Sequence, residues 1–169
     1  MPRRNRLTSH SSGRLRRRLI QALAIMSRDS AYLAEIRPTW RRDWLKSIAE
    51  FADYDLQSRS WFGGPECNSP YWSFVEWMCR YFDDYSLSFG YASFISDGFV
   101  SPEEAEAVQE FHAAADTYKA PGGNDYDHRA ILSDPGWQHV VSLADGARLR
   151  LLSIIKEPSE RALLQRNGG

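Results

Sequence analysis

Cysteine is almost missing from this chain: Cys67 and Cys79 are the only two in 169 residues. They match no zinc or redox spacing, so neither a metal framework nor a disulfide framework is expected. They read most simply as the reduced thiols of a cytoplasmic protein. Long apolar runs are missing as well, and no stretch approaches the length of a membrane span. No internal repeat is visible. Signatures of chemistry are equally scarce. No serine sits in a nucleophile elbow, and neither cysteine has a neighbouring histidine. Gly63-Gly64-Pro65 lacks the Lys-Ser/Thr and the preceding strand that a phosphate loop needs. Asp97-Gly98-Phe99-Val100-Ser101 with Glu104 imitates half of a calcium loop. Counting back from Gly98, however, puts Ile95 where a ligating carboxylate belongs. That stretch reads as a tight turn plus a capping box, and no cofactor is implied.

Acidic residues are missing from one end. Residues 1–28 hold eight arginines and no acid, whereas residues 29–169 hold 13 basic and all 22 acidic residues, a net of −9. The chain therefore divides into a basic leader, 1–28, and a single acidic domain, 29–169. Met1–Gly13 is polar and rich in Ser and Asn, the composition of disorder. Arg14–Met26 places Leu15, Leu19, Ala22, Leu23 and Met26 on one helical face. Four readings compete for this leader: a nucleic-acid arm, a secretion signal, a transit peptide, or sequence outside the working domain. Its apolar run is short and broken by Gln21, which disfavours a secretion signal, while its Arg- and Ser-rich composition suits transit. As a nucleic-acid arm it has charge but no aromatic interleaving, so binding would be salt-sensitive and blind to sequence.

The run Asn5-Arg6-Leu7-Thr8-Ser9-His10-Ser11-Ser12-Gly13-Arg14-Leu15-Arg16-Arg17-Arg18-Leu19 resembles the translated boundary of bacterial integron gene cassettes. The resemblance covers the leader alone. It implies a bacterial accessory gene of a mobile element and Met26 as the natural start, and it implies nothing about the activity of the body.

What the body has in abundance is rings. Twelve of the 22 aromatic residues lie between Trp61 and Phe94. Over Pro70–Tyr85, the positions Tyr71, Phe74, Val75, Met78, Tyr81, Phe82 and Tyr85 recur at helical spacing, with Ser69 as cap and Pro70 at the first position. Trp72, Trp77 and Cys79 fall off that face. Such a helix is apolar nearly all round, so it is central, or its second face meets a partner.

Around it the sequence predicts an all-α bundle of about six to seven helices. A short helix over Asp29–Ile36 ends before Pro38. The next runs from Thr39 to about Leu56, burying Trp40, Trp44, Leu45, Ile48, Phe51 and Ala52, with Arg41, Arg42, Lys46 and Glu50 in solvent. Arg59–Ser69 is a loop. Ser86–Asp97 fits a strand through Leu87, Phe89 and Tyr91 or a helix through Leu87, Tyr91, Phe94 and Ile95. A lone strand has no partner, which favours helix, with Gly98 just past its end. Ser101-Pro102-Glu103-Glu104 opens a helix to about Lys119. Ala120–Asp127 is a loop, Asp134-Pro135 opens a helix kinked at Gly146, and Pro158 starts a last short one.

Two sets of residues suggest function. His112 and Asp116 share a helical face, and Asp125, Asp127 and His128 follow in the next loop, with His139 beyond. Together they are the residue types of a metal site or of a base with its orienting carboxylate, at a spacing that matches no known signature. The plain reading of each is a core-edge histidine, turn-forming aspartates and a surface histidine. Asp83 and Asp84 end the aromatic helix where its dipole disfavours them; with Trp72 and Trp77 they are candidates for partner binding. The expectation is a non-enzymatic protein-binding module, immunity- or inhibitor-like, for a basic partner. The alternatives are a metal-dependent enzyme built on residues 112–128, and nucleic-acid binding through the leader.

Overall fold

The computed structural model describes residues 30–63 and 73–165. The leader, Pro70–Trp72 and the cap at Ser69 lie outside the described residues. The chain divides into two units, Met1–Ile36 and Arg37–Gly169. In the first, the described residues are helical. The architecture below is that of the second.

The fold is all-α, and no strand occurs among the described residues. Helix α1 (Ser30–Phe51) is followed by α2 (Tyr54–Gly63), α3 (Phe74–Cys79) and a π turn over Arg80–Asp84. A 3-10 turn at Leu87–Phe89 leads to α4 (Ala92–Ser96) and α5 (Pro102–Thr117). A second 3-10 turn, Pro121–Gly123, precedes α6 (His128–Ser133), α7 (Pro135–Ile154) and α8 (Pro158–Leu164). The most extensive pairing is α5 against α7.

Pro38 does not end the first helix; it lies inside α1. A proline inside a helix forfeits one backbone hydrogen bond and is strained against the preceding turn, a cost of about 3 kcal/mol. It does not forbid the helix, and the turns beyond it are anchored by the buried Trp44, Leu45, Ile48 and Phe51. That helix also stops sooner than expected. The Asp53 carboxylate accepts from Leu56 N at 2.9 Å and starts α2, which takes in Arg59–Gly63, expected as loop. Gln57 holds the corner. Its Nε2 donates to the Phe51 carbonyl at 2.8 Å, and to that of Glu50 at 3.3 Å, which also accepts from Asp53 N at 3.1 Å. Its Oε1 accepts from Trp137 Nε1 at 2.8 Å, which ties α7 to the same corner.

The hub of the core is Phe51, outside the aromatic-rich segment. Its ring lies 5.2–5.9 Å from Phe111, Tyr81, Trp77 and Trp137, in tilted or edge contacts. Each such pair contributes about 0.5–1.5 kcal/mol beyond burial. Trp61 folds onto Phe74 and Trp77, whereas Phe62 is exposed. The buried stripe of the aromatic segment is Phe74, Trp77, Tyr81 and Phe82, while Val75 and Met78 are half-buried. The π turn widens the helix, with Tyr85 N bonding Arg80 O at 3.2 Å, so that Tyr81 and Phe82 both turn inward.

Elsewhere the signals of the sequence are met. The Ser101 capping box forms in full. Gly98, at φ +71°, follows the last turn of α4, a conformation side chains disfavour. Asp134-Pro135 opens α7 and Pro158 opens α8, but the kink expected at Gly146 is absent, and α7 passes through it unbroken.

Candidate functional site

Three polar arrangements stand out against this ring-packed background. The first is a clamp. Arg41, expected in solvent, is mostly buried and uses all five of its N–H donors. Nε donates to Glu160 Oε1 at 2.6 Å; Nη1 donates to the Phe99 carbonyl and Glu104 Oε2; Nη2 donates to Glu104 Oε1 and Glu160 Oε2. It joins α1, the start of α5 and α8. The hydrogen bonds from Glu160 and then Glu104 raise its pKa against the cost of burial. Burial opposes ionisation of Glu104, but the bonds from Arg41 and Ser101 outweigh it and hold the carboxyl below its usual range. The clamp forms one wall of an open cleft of about 640 Å³ whose apolar lining includes Ile95, Phe99, Val100, Ile154 and Ile155. Because Arg41 has no donor left, it holds the wall in place and has none to offer an anion.

The second arrangement runs from the buried Trp44 and Tyr81 to the half-buried Tyr91 and His112. Trp44 Nε1 donates to Tyr91 Oη at 2.9 Å, Tyr91 Oη lies 2.7 Å from Tyr81 Oη, and Tyr81 Oη lies 3.4 Å from His112 Nδ1. Burial pushes both phenols up and keeps them neutral. Burial lowers His112, opposed by the carboxylate of Asp116 one turn along.

The third is the solvent face of α5. Glu103, Glu106, Glu110 and Asp116 are exposed on it, and the helix contains no lysine or arginine. Glu106 and Glu110, four apart, repel one another, a spacing that costs about 0.2–0.5 kcal/mol. Among the ion pairs of the described residues, the one that reaches this face is Arg150 to Glu110, at 3.8 Å and exposed. The N-terminal end of the same helix borders the cleft through Ser101, Pro102 and Glu104.

The His/Asp residues singled out from the sequence do not converge. His112 packs its ring against Tyr81, Phe82 and Tyr91. His128 belongs to another neighbourhood: its Nδ1 lies 3.2 Å from the Trp61 carbonyl, and its ring meets Trp61 and Phe62. A carbonyl only accepts, so Nδ1 carries the hydrogen. Nε2 is buried with no partner among the described residues. Asp127 caps α6 by accepting from Ala130 N, and Asp116, Asp125 and His139 are exposed. No group of three or more His, Cys, Asp or Glu among the described residues is placed to hold a metal ion.

Of the partner-binding candidates, Trp72 lies outside the described residues. Trp77 is 2% exposed and belongs to the core, so it offers no surface to a partner. Three and four residues from Phe74 and Tyr81, it occupies the centre of the buried stripe, where the expected face had Met78. Asp83 and Asp84 are exposed, with Asp83 Oδ1 accepting from Ser88 Oγ at 3.3 Å. Glu50 likewise leaves the solvent face expected for it: burial raises its pKa against its ion pair with the buried Arg80. The signal for α5 was legible, since PEEAEAVQEFHAAADT carries acids at helical spacing and no lysine or arginine.

Fold and polar arrangements together define an all-α bundle protein with an aromatic core and an acidic helix face. The sequence matches no protein-family model, no curated protein and no solved structure. No helix among the described residues is long and apolar enough to cross a membrane.

Proposed function

We propose that the chain is a non-enzymatic binding module, immunity- or inhibitor-like, and that the exposed face of α5 receives a basic protein surface. One observation carries the reading. Glu103, Glu106, Glu110 and Asp116 are exposed on a helix without lysine or arginine, and the ion pair that reaches them among the described residues is the exposed Arg150 with Glu110 at 3.8 Å. Like charges at these spacings cost the helix stability, and a lysine- or arginine-rich partner relieves that cost on binding. The body as a whole supports the same sign, with its net of −9 over residues 29–169 steering a cationic partner inward. Asp83 and Asp84 form a second, smaller acidic spot. The partner meets the module in the cytoplasm. The leader's likeness to a cassette boundary supports a bacterial mobile element as the source.

The test uses the full chain and a fluorescently labelled lysine-rich peptide as probe, with a glutamate-rich peptide of equal length as control. Anisotropy should report saturable binding of the basic probe that weakens steeply as salt rises, and none of the acidic one. Indifference to the sign of the probe contradicts the reading.

A further inference from the structure

We propose that Trp44, Tyr91, Tyr81 and His112 form a one-way hydrogen-bond chain that acts as an acid-sensitive latch between α5 and the rest of the bundle. The latch is independent of what the acidic face of α5 binds.

The argument is a count of hydrogens. Four polar atoms stand in line, and three links join them: Trp44 Nε1 to Tyr91 Oη, Tyr91 Oη to Tyr81 Oη, and Tyr81 Oη to His112 Nδ1. The indole N–H can only donate, so it occupies the first link. Two phenol hydrogens remain for two links. Both are satisfied in one way: Tyr91 donates to Tyr81, and Tyr81 donates to His112 Nδ1. That arrangement requires a bare lone pair on Nδ1, with the hydrogen of the neutral ring on Nε2.

A proton arriving from solvent must then land on Nδ1, the atom that faces Tyr81. Nδ1–H becomes a donor, and three hydrogens compete for two links. Whichever way the phenols turn, one hydroxyl hydrogen loses its acceptor. Tyr81 is fully buried, and the phenol of Tyr91 lies in the same buried chain. Leaving a buried donor unpaired costs its full desolvation. The cationic ring adds its own cost, because it packs against Phe82, Tyr81 and Tyr91.

Of the ionisable groups named around the ring, one is charged, and it opposes this outcome. From α5 itself, Asp116 favours the charged form, and burial outweighs it. From the π turn and from the residue before α4 come Tyr81 and Tyr91, both neutral. From α1 comes Trp44, which does not titrate. The folded protein therefore takes up this proton less readily than the unfolded chain. The sign follows from linkage. The latch is intact above about pH 6.5, the ordinary imidazole value, and stability falls as pH drops below it. The chain runs from α1 through the π turn and the segment before α4 to α5. Breaking it loosens α5, the helix that carries the acidic face.

The experiment is nitrogen and carbon NMR of the histidine rings in the full chain. At neutral pH, His112 should be the Nε2–H tautomer with Nδ1 unprotonated, and its midpoint should lie below the ordinary imidazole value of about 6.5. Tyr81→Phe removes the link and should raise the His112 midpoint. Asp116→Asn removes the opposing carboxylate and should lower it. His112→Asn keeps an acceptor but cannot titrate, and should lose the part of the acid destabilisation that the wild type shows below pH 6.5. An Nδ1–H tautomer in the wild type overturns the proposal without any variant. So does a His112 midpoint that Tyr81→Phe leaves unchanged, since burial alone would then account for it.

Discussion

The two faces of α5 obey different rules. On the inner face, Val108, Phe111 and Ala115 are buried, Glu104 is buried in the Arg41 clamp, and His112 at the edge is drawn into a hydrogen-bond chain. On the outer face, Glu103, Glu106 and Glu110 follow one another at helical spacing with one exposed arginine near them. The inner face is organised for stability: apolar area is removed from water, and polar atoms are paired before burial. The outer face gives some stability away, because like charges are stacked along a helix that needs none of them for packing. A face that costs the fold something is where a binding role is best sought.

The largest effect expected from breaking this comparison lies inside. Phe111→Ala removes a ring that contacts both Phe51 and Tyr81, and should cost about 3–5 kcal/mol in urea unfolding. Next comes the clamp at the start of the helix. Arg41→Ala leaves Glu104 and Glu160 without their shared cation and should cost about 2–3 kcal/mol, less than a fully buried pair because the side chain keeps some exposure. The Glu104 carboxyl is held below its usual value, so this stabilisation is present above the unfolded carboxylate range. It should fade as pH falls through that range, and wild type and Arg41→Ala should converge in acid. Smaller again is Ser101→Ala, which breaks one half of the capping box and should cost about 1 kcal/mol. The smallest effect belongs to the outer face. Glu106→Gln with Glu110→Gln should leave stability unchanged or raise it by about 0.2–0.5 kcal/mol. A large loss there would make the outer face structural and erase the distinction.

How much of this was legible in the sequence depends on the range of the interaction. The capping box at Ser101, the proline-led starts of α7 and α8, and the glycine after α4 are written within a few residues, and they stand. Pro38 also carries a local signal, but burial of the turns after it outweighs the local cost. Trp77 and Met78 both stand at helical spacing from Phe74 and Tyr81, and the rings of Phe51 and Trp61, which pack on Trp77, decide which of the two is buried. Periodicity at a fixed spacing cannot see that. Gln57 and Arg41 were invisible for another reason. Each is an ordinary polar residue until Trp137 and Glu160, far along the chain, arrive beside it. The same distance separates His112 from His128. Sequence proximity suggested a shared site, and the fold placed the two against different aromatic neighbours.

The most direct test sets the two acidic spots against each other. Glu106→Gln/Glu110→Gln and Asp83→Asn/Asp84→Asn each remove two negative charges from the full chain. Their affinities for the labelled lysine-rich peptide should be measured at low salt, at about 50 mM, where surface charge is weakly screened. A face-specific module predicts that the glutamate pair weakens binding several-fold more than the aspartate pair. Equal loss in both would mean that net charge alone attracts the probe, and the assignment of a binding face to α5 would be wrong.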